Sequence, residues 1–455
     1  MKILKRLMVG MLFSAMALGM AGCSGGKKAA GDLTEVRMWT NKSHSQKVMQ
    51  KLVDDWNETT GKEKGIKFVY EVREGDSDKD VEIAMAAGNA PEIFTTSNRA
   101  LAMDGKLLAL DDVEGGQEII DKYGSAFTKG WKINGKVYSI PFSTSTRGLI
   151  YNKDMFKEAG LVDENGEPTP PKTLNELVEY AKKLTDKDNN KYGIVFPLKW
   201  GTWFASDISS PAFSSTGNEG YDPVTGKYDY SGFKPMMEAI MQIKKDGSYY
   251  PGAEGLDNDP ARARFAEGNI GMKFGFSFDV GVLNDQFPAK CDWGVAEYPV
   301  VDVNNKYKQI LSVNDGTVIN KETAEKTGID KVMEVYKFYH SDEVMTALYQ
   351  NGLELPVFPE QILDHKLLVN AKGWEDFGKM VEISVAKPLT MPTETSGKES
   401  LANLFINKVW TGERTIDSVL KEYTDTMNEG IEKYKEIHPD EDMNQYIDKS
   451  WNVHR

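Results

Sequence analysis

Leu33-Thr34-Glu35-Val36-Arg37-Met38-Trp39 and Ile66-Lys67-Phe68-Val69-Tyr70-Glu71-Val72 read as two strands. Between them Gln46 to Asn57 reads as a helix, because Val48, Leu52, Val53 and Trp56 recur on one face. A strand, a helix and a second strand in succession are the unit of an α/β fold. The pattern continues along the chain. Ile93-Phe94-Thr95 opens a short strand, and Thr173 to Leu184 is a helix with Thr173 and Glu176 as a capping box. Tyr192 to Phe196 is a strand. Asp259-Pro260 starts a helix, with Asp as cap and Pro in the first turn, and Gly268 ends it before the strand Ile270 to Phe274. Asp330 to Tyr339, Ser341 to Tyr349, Lys398 to Trp410 and Thr415 to Lys435 are helices. The last carries Ile416, Val419, Leu420, Tyr423, Met427 and Ile431 at helical spacing. The alternation predicts an α/β fold with largely parallel sheets.

Composition agrees. The 455 residues are 40% hydrophobic and 27% charged, enough apolar side chain for a sizeable core and enough chain for two large units. A net charge of −14 disfavours nucleic acid as a partner. The N-terminus is a separate matter. Lys2, Lys5 and Arg6 precede the apolar run Leu7 to Leu18, which is shorter than the roughly 20 residues a bilayer requires. Met20-Ala21-Gly22-Cys23 follows. This is the layout of a secretory signal, residues 1–22, and it resembles a bacterial lipobox ahead of a Cys23 that becomes a lipidated N-terminus. Residues 23–32 then form a lipidated Cys and a Gly/Ser-containing flexible tether. The mature protein is expected to be extracytoplasmic and anchored to the cell membrane through lipid at Cys23. Cys291, the other cysteine, reads as a small structural residue.

In open α/β sheets ligands bind beyond the carboxyl ends of strands. Four such ends carry aromatic rings, hydroxyls and amides: Trp39-Thr40-Asn41-Lys42, Thr95-Thr96-Ser97-Asn98-Arg99, Trp200-Gly201-Thr202-Trp203-Phe204 and Gly275-Phe276-Ser277-Phe278-Asp279. Rings suit the C–H face of a sugar, and amides and hydroxyls suit its edge. The pair Trp200 and Trp203 fits no strand or helix core pattern and reads as site. Other chemistries fit less well. Gly130 to Val137 has Walker-like spacing but Val137 where a magnesium-binding hydroxyl is needed, and it reads as a hairpin. The five histidines form no ligand spacing, so no metal and no cofactor is expected. Asp186 to Asn190 reads as a solvated turn, because Lys191 stands where a calcium loop requires Gly.

The run Asn134-Gly135-Lys136-Val137-Tyr138-Ser139-Ile140-Pro141, then Gly148 to Asp154, Met155 to Leu161 and Pro171 to Leu177, resembles the family 1 extracellular solute-binding proteins of carbohydrate ABC importers, which include maltose-binding protein. Ala87 to Phe94, Phe265 to Met272, Trp293-Gly294-Val295 and Gly412 to Asp417 continue the resemblance, which spans about residues 33–436. It implies a two-lobed, type II periplasmic-binding-protein fold with a ligand cleft and three hinge crossings, near Phe142, Asp302 and Val357. Lobe one would be 33–142 plus 303–356, and lobe two 143–302 plus 357–455. The implied ligand contacts are Trp39, Asn41, Thr96, Asn98, Ser145, Trp200, Trp203, Phe276, Ser277, Phe278, Asn314, Asp315 and Glu394. The implied partners are a carbohydrate, expected to be an oligosaccharide, and the ABC permease, with the chain a monomer and not an enzyme. Two alternatives stay open. One is a binding protein for a polyamine or metal. The other is a surface glycoside hydrolase, which needs two carboxylates about 5 to 9.5 Å apart.

Overall fold

The computed structural model describes residues 33–73, 77–313, 316–369 and 371–455. The signal, Cys23 and the tether lie outside the described residues, as do Asn314 and Asp315.

Two four-stranded sheets organise the chain. In the first, Thr34–Thr40 runs parallel to both Ile66–Val72 and Ile93–Thr95, and Thr317–Ile319 closes the edge antiparallel to Ile93–Thr95. The strand–helix–strand reading of the first stretch is borne out, with the helix at Gln46–Trp56. Its inner residues Met49, Val53 and Trp56 bury against Val36, Met38 and Phe68. The helices Ile329–Tyr339 and Asp342–Gln350 cover the same core through Val332, Tyr336, Tyr339, Val344 and Leu348.

The second sheet corrects an expectation. Tyr192–Ile194 and Ile270–Phe276 are parallel, but Arg147–Asn152 runs antiparallel between Ile270–Phe276 and Trp293–Ala296. This sheet is mixed, not largely parallel. All six residues of Arg147–Asn152 are buried because helices cover both of its faces. On one side Leu149, Met272 and Phe274 meet the helices Leu174–Lys183 and Ile416–Ile437. On the other Ile150 meets Phe265, Val280 and Phe377. The capping box holds: the Glu176 amide donates to Thr173 Oγ1 at 3.1 Å, and Glu176 Oε2 accepts from the Thr173 amide at 3.1 Å. The helix expected to start at Asp259-Pro260 begins earlier. Its cap is Asp257, not Asp259, and it spans Asn258–Ala266. Asp257 accepts from the Asn258 amide, so the first Asp of the series takes the cap and Asp259 is freed to pair with Arg262.

Between the sheets lies a third, narrow ladder. Thr144–Ser145 pairs antiparallel with the end of Gln309–Val313, whose start pairs in parallel with Ser384–Ala386. A bridge from Thr144 to Leu355 adds another segment. Just before it, Phe142 stacks on Tyr339 with centroids 4.3 Å apart. Residues 307–310 still contact second-sheet elements: Tyr307 donates its amide to Ser214, and Ile310 packs with Phe213 and Val453.

The strand Tyr192–Ile194 lies close to the helix Leu174–Lys183. A Cβ built on Gly193 would stand 1.9 Å from the Ala181 carbonyl oxygen, a backbone atom that cannot swing aside. Gly193→Ala is therefore expected to destabilise the protein by about 2 kcal/mol or more. A denaturant midpoint unchanged from wild type in chemical unfolding contradicts this packing.

Candidate ligand cleft

A cavity of ≈ 750 Å³ lies where the strand ends of both sheets meet the middle ladder. Each wall follows from local structure. Asn41, Lys42, Ser43 and His44 follow the strand Thr34–Thr40, and Ser97 follows Ile93–Thr95. Trp200, Thr202 and Ala205 lie in the loop and first turns after Tyr192–Ile194. Arg147 begins one buried strand, and Phe276 ends its neighbour, with Phe278 two residues on. Asn258 and Arg262 come from the first turns of Asn258–Ala266, Leu311 to Val313 from the ladder, and Lys387 from the end of Ser384–Ala386.

The aromatic residues form one continuous wall. Trp200 meets Phe276 edge-on at 5.8 Å, Phe276 stacks on Phe278 at 4.8 Å, and Phe278 stacks on His44 at 4.6 Å. The last contact joins the loop of the first sheet to the second. Lys47 and Asp285 add an exposed ion pair between the same regions at 2.8 Å.

Charges stand behind this wall. Glu354 is buried and receives His44 Nε2 at 2.8 Å, Lys42 Nζ at 3.4 Å and Ser143 Oγ at 2.6 Å. Burial pushes its pKa up, but Lys42, His44 and the Ser143 hydroxyl more than offset this and hold it at about 2. Asp279 is likewise buried. Arg262 and Lys273 overcome the cost of burial and hold it below the usual carboxylate range. Burial lowers the Lys273 pKa in turn, and the Asp279 and Asp207 charges oppose that shift. Asp207, buried with Lys273 as its opposing charge, is pushed up by desolvation to about 7.

Of the residues expected at the site, the structure brings Asn41, Trp200, Phe276 and Phe278 together on the cleft wall. Asn314 and Asp315 lie outside the described residues, and the rest lie elsewhere. Trp39 packs on the apolar cluster of Phe94 and Leu101, with the Arg73 guanidinium 4.1 Å above its ring. Thr96 is buried and donates to Asp78 Oδ1 at 2.5 Å, while its neighbour Ser97 takes the cleft position. Asn98 donates to Glu82 and lines a separate groove with Leu101 and Lys106. Ser145 is buried in the ladder opposite Ser312. Trp203 is core, packed on Phe204 and Phe405. Ser277 is buried, its amide bonded to the Thr146 carbonyl. Glu394 sits against the closing helix: its amide bonds to the Gly430 carbonyl, and its carboxylate accepts the Ser396 amide. The wall residues outside the expected set include Lys42, Ser43, His44, Ser97, Arg147, Thr202, Asn258, Arg262, Ser312 and Lys387. Lys42 and Thr202 belong to clusters the sequence had flagged. Arg147 had no such signal.

Among the described residues, no group of three or more His, Cys, Asp or Glu could hold a metal, and no helix is long and apolar enough to cross a membrane. Cys291 is partly buried just ahead of the strand Trp293–Ala296, and burial, with the nearby Asp154 charge, pushes its thiol up to about 11.

The sequence profile described as "Bacterial extracellular solute-binding protein" matches residues 41–346, and the chain belongs to that family. The resemblance seen in the sequence is thus borne out. The "Maltotriose-binding protein" of Pyrococcus abyssi is 26% identical over 250 residues, covering 53% of this chain and 49% of its own. The "sn-glycerol-3-phosphate-binding periplasmic protein UgpB" of Brucella melitensis is 26% identical over 261 residues, covering 53% and 56%. The chain thus spans about half the length of these two relatives. The solved maltose/maltodextrin-binding domain MalE of Bdellovibrio bacteriovorus, bound to maltotriose, superposes with a TM-score of 0.69 at 19% identity, over 88% of this chain and 100% of that one. The fold is that of the two-lobed solute-binding proteins.

The two tryptophans separate cleanly by role. Trp203→Ala is expected to cost about 3–5 kcal/mol of stability as a core truncation, and Trp200→Ala much less. Equal losses of stability in urea unfolding contradict the assignment. Glu354 gives a pH signature. Its folded pKa lies below its ordinary 4.5, so its contribution is complete above that pH and disappears as pH falls toward 2. Glu354→Gln is expected to lose about 3 kcal/mol at neutral pH. It should also flatten the stability profile between pH 4.5 and 2. A variant as stable as wild type at pH 7 refutes the network.

Proposed function

We propose that the protein is the lipid-anchored extracellular substrate-binding component of an ABC importer, capturing a carbohydrate by hinge closure and delivering it to the permease. The observation that carries the reading is the cleft itself. A wall of Trp200, Phe276 and Phe278 stands beside the amides and hydroxyls of Asn41, Ser43, Ser97, Thr202 and Asn258. Such a surface offers apolar faces and a polar edge together, as a sugar ring requires. The names of the relatives that bind maltotriose support the ligand class. The lobes of 33–142 plus 303–356 and of 143–302 plus 357–455 are part of this proposal, and the contacts of Tyr307 with Ser214 and of Ile310 with Phe213 favour a second crossing closer to the ladder than Asp302. The lipid at Cys23, the membrane attachment, the monomeric state and the permease partner are part of this proposal and rest on the N-terminal motif and the family.

The alternatives fit the cleft less well. Polyamines require carboxylates, and the described lining residues contain Lys42, Arg147, Arg262 and Lys387 but no Asp or Glu. The same lining offers no pair of carboxylates for glycoside hydrolysis. A specific observation does favour one second reading: those cations, and the glycerol-3-phosphate-binding relative, suit a small polyol phosphate.

Thermal-shift screening of residues 24–455 against mono- and oligosaccharides tests the proposal. A stabilising shift with a saccharide class, abolished by Trp200→Ala, is expected, because a ligand in excess of its Kd raises stability by mass action. Shifts with sn-glycerol 3-phosphate alone favour the second reading. Cleaved saccharide in the same samples contradicts both.

A further inference from the structure

We propose that the ligand is an acidic saccharide, one whose ring carries a carboxylate, phosphate or sulfate group, and that Arg147 receives that group. The inference rests on the saccharide reading above and narrows it.

The cleft has the opposite sign to the protein. The chain carries −14 overall, yet the described wall has four cations and no carboxylate. Three of the four are neutralised from behind. Lys42 pairs with Glu354 at 3.4 Å, Lys387 with Glu219 at 2.5 Å, and Arg262 with Asp279 and, at 2.6 Å, with Asp259. Arg147 differs. It is only 6% exposed, and its contacts among the described residues are to neutral oxygens and a ring, with no carboxylate in ion-pair distance. Its guanidinium is held by neutral oxygens instead. Nε and Nη2 donate to Ser312 Oγ at 2.9 and 2.5 Å, and Nη1 donates to the Ala205 carbonyl at 3.1 Å and to Ser210 Oγ. Its plane lies over the Phe276 ring at 4.8 Å.

A buried cation without a counter-charge is costly, and folding normally removes such a group or pairs it. Here the side chain is fixed by four hydrogen bonds and a ring, so it is preorganised in the wall. Those bonds use four of the five N–H donors, leaving one on Nη2. A ligand anion would supply the missing charge through a charge-assisted bond. The position also sets where the anion sits on the ligand. Phe276 touches both the Arg147 guanidinium and, edge-on at 5.8 Å, Trp200. The anionic group and the stacked ring therefore belong to the same sugar unit or to adjacent ones. The negative global charge is screened beyond roughly 8 Å at physiological salt, so this short-range contact is not overridden by it.

Calorimetry on the intact extracellular chain tests the proposal. The probes are matched pairs, digalacturonate against galactobiose and glucose 6-phosphate against glucose, with inorganic phosphate and sn-glycerol 3-phosphate as separate arms. At least one acidic saccharide is expected to bind about tenfold or more tighter than its neutral partner. The first pair reports carboxylate and the second phosphate. Arg147→Gln should collapse that ratio, and Arg147→Lys should restore part of it. If Arg147→Gln fails to fold, the wild-type ratio, which should fall as salt is raised, decides alone. Neutral partners binding as tightly as acidic ones overturn the inference and leave the saccharide reading standing. Binding of phosphate or sn-glycerol 3-phosphate without any saccharide overturns both, as does an absence of binding by every probe.

Discussion

The buried carboxylate of Glu354 is the point on which the rest of the cleft depends. It takes hydrogen bonds from Lys42 and His44, which follow the first strand, and from Ser143, which enters the middle ladder. Leu355, next to it, bridges to Thr144. One acidic group therefore ties the first-sheet loop to two segments that pass between the sheets. It also sets the orientation of His44, and His44 stacks on Phe278 of the other wall. The aromatic wall is thus held from the side that does not carry its other rings. Removing one partner of such a buried cluster is costly, because the charges left behind stay buried without compensation.

A second polar centre, around Asp279, does the equivalent work on the other wall. Arg262 and Lys273 share this carboxylate, and Arg262 lies 5.5 Å over the Phe278 ring. The aromatic wall is thus backed at its His44 end by Glu354 and at Phe276 and Phe278 by Asp279. Both clusters are buried, so the rings they hold are restricted before any ligand arrives. Such preorganisation reduces the ordering cost of binding.

The features legible in the sequence are those governed by neighbours along the chain. The capping box at Thr173 and Glu176, the first strand–helix–strand unit and the Asn134-Gly135 hairpin each depend on a few adjacent residues, and each is present; Asn134 and Gly135 both have positive φ, as a tight hairpin turn requires. What failed depends on pairing across long separations. Nothing near Arg147–Asn152 announces that it will run antiparallel to Ile270–Phe276. Trp200 and Trp203 share one loop and one residue type, yet one faces the cleft and the other Phe405, because the chain turns into helix between them. The strand-end rule found the right loops but not always the right residue: Ser97 stands where Thr96 was expected, and Asn98 faces Glu82. Arg147 was invisible for a related reason. A basic residue at the start of an apolar strand reads as its boundary, and its burial follows only from the packing of Ser210 and Ser312 around it.

In the proposed cycle two lobes close on a saccharide held by this wall. Small-angle X-ray scattering of the extracellular chain, with and without a saturating saccharide that stabilises it, measures this directly. A smaller radius of gyration is expected in the liganded protein, since the contacts of both lobes with ligand favour the closed form. Saturated binding with an unchanged radius of gyration would contradict it.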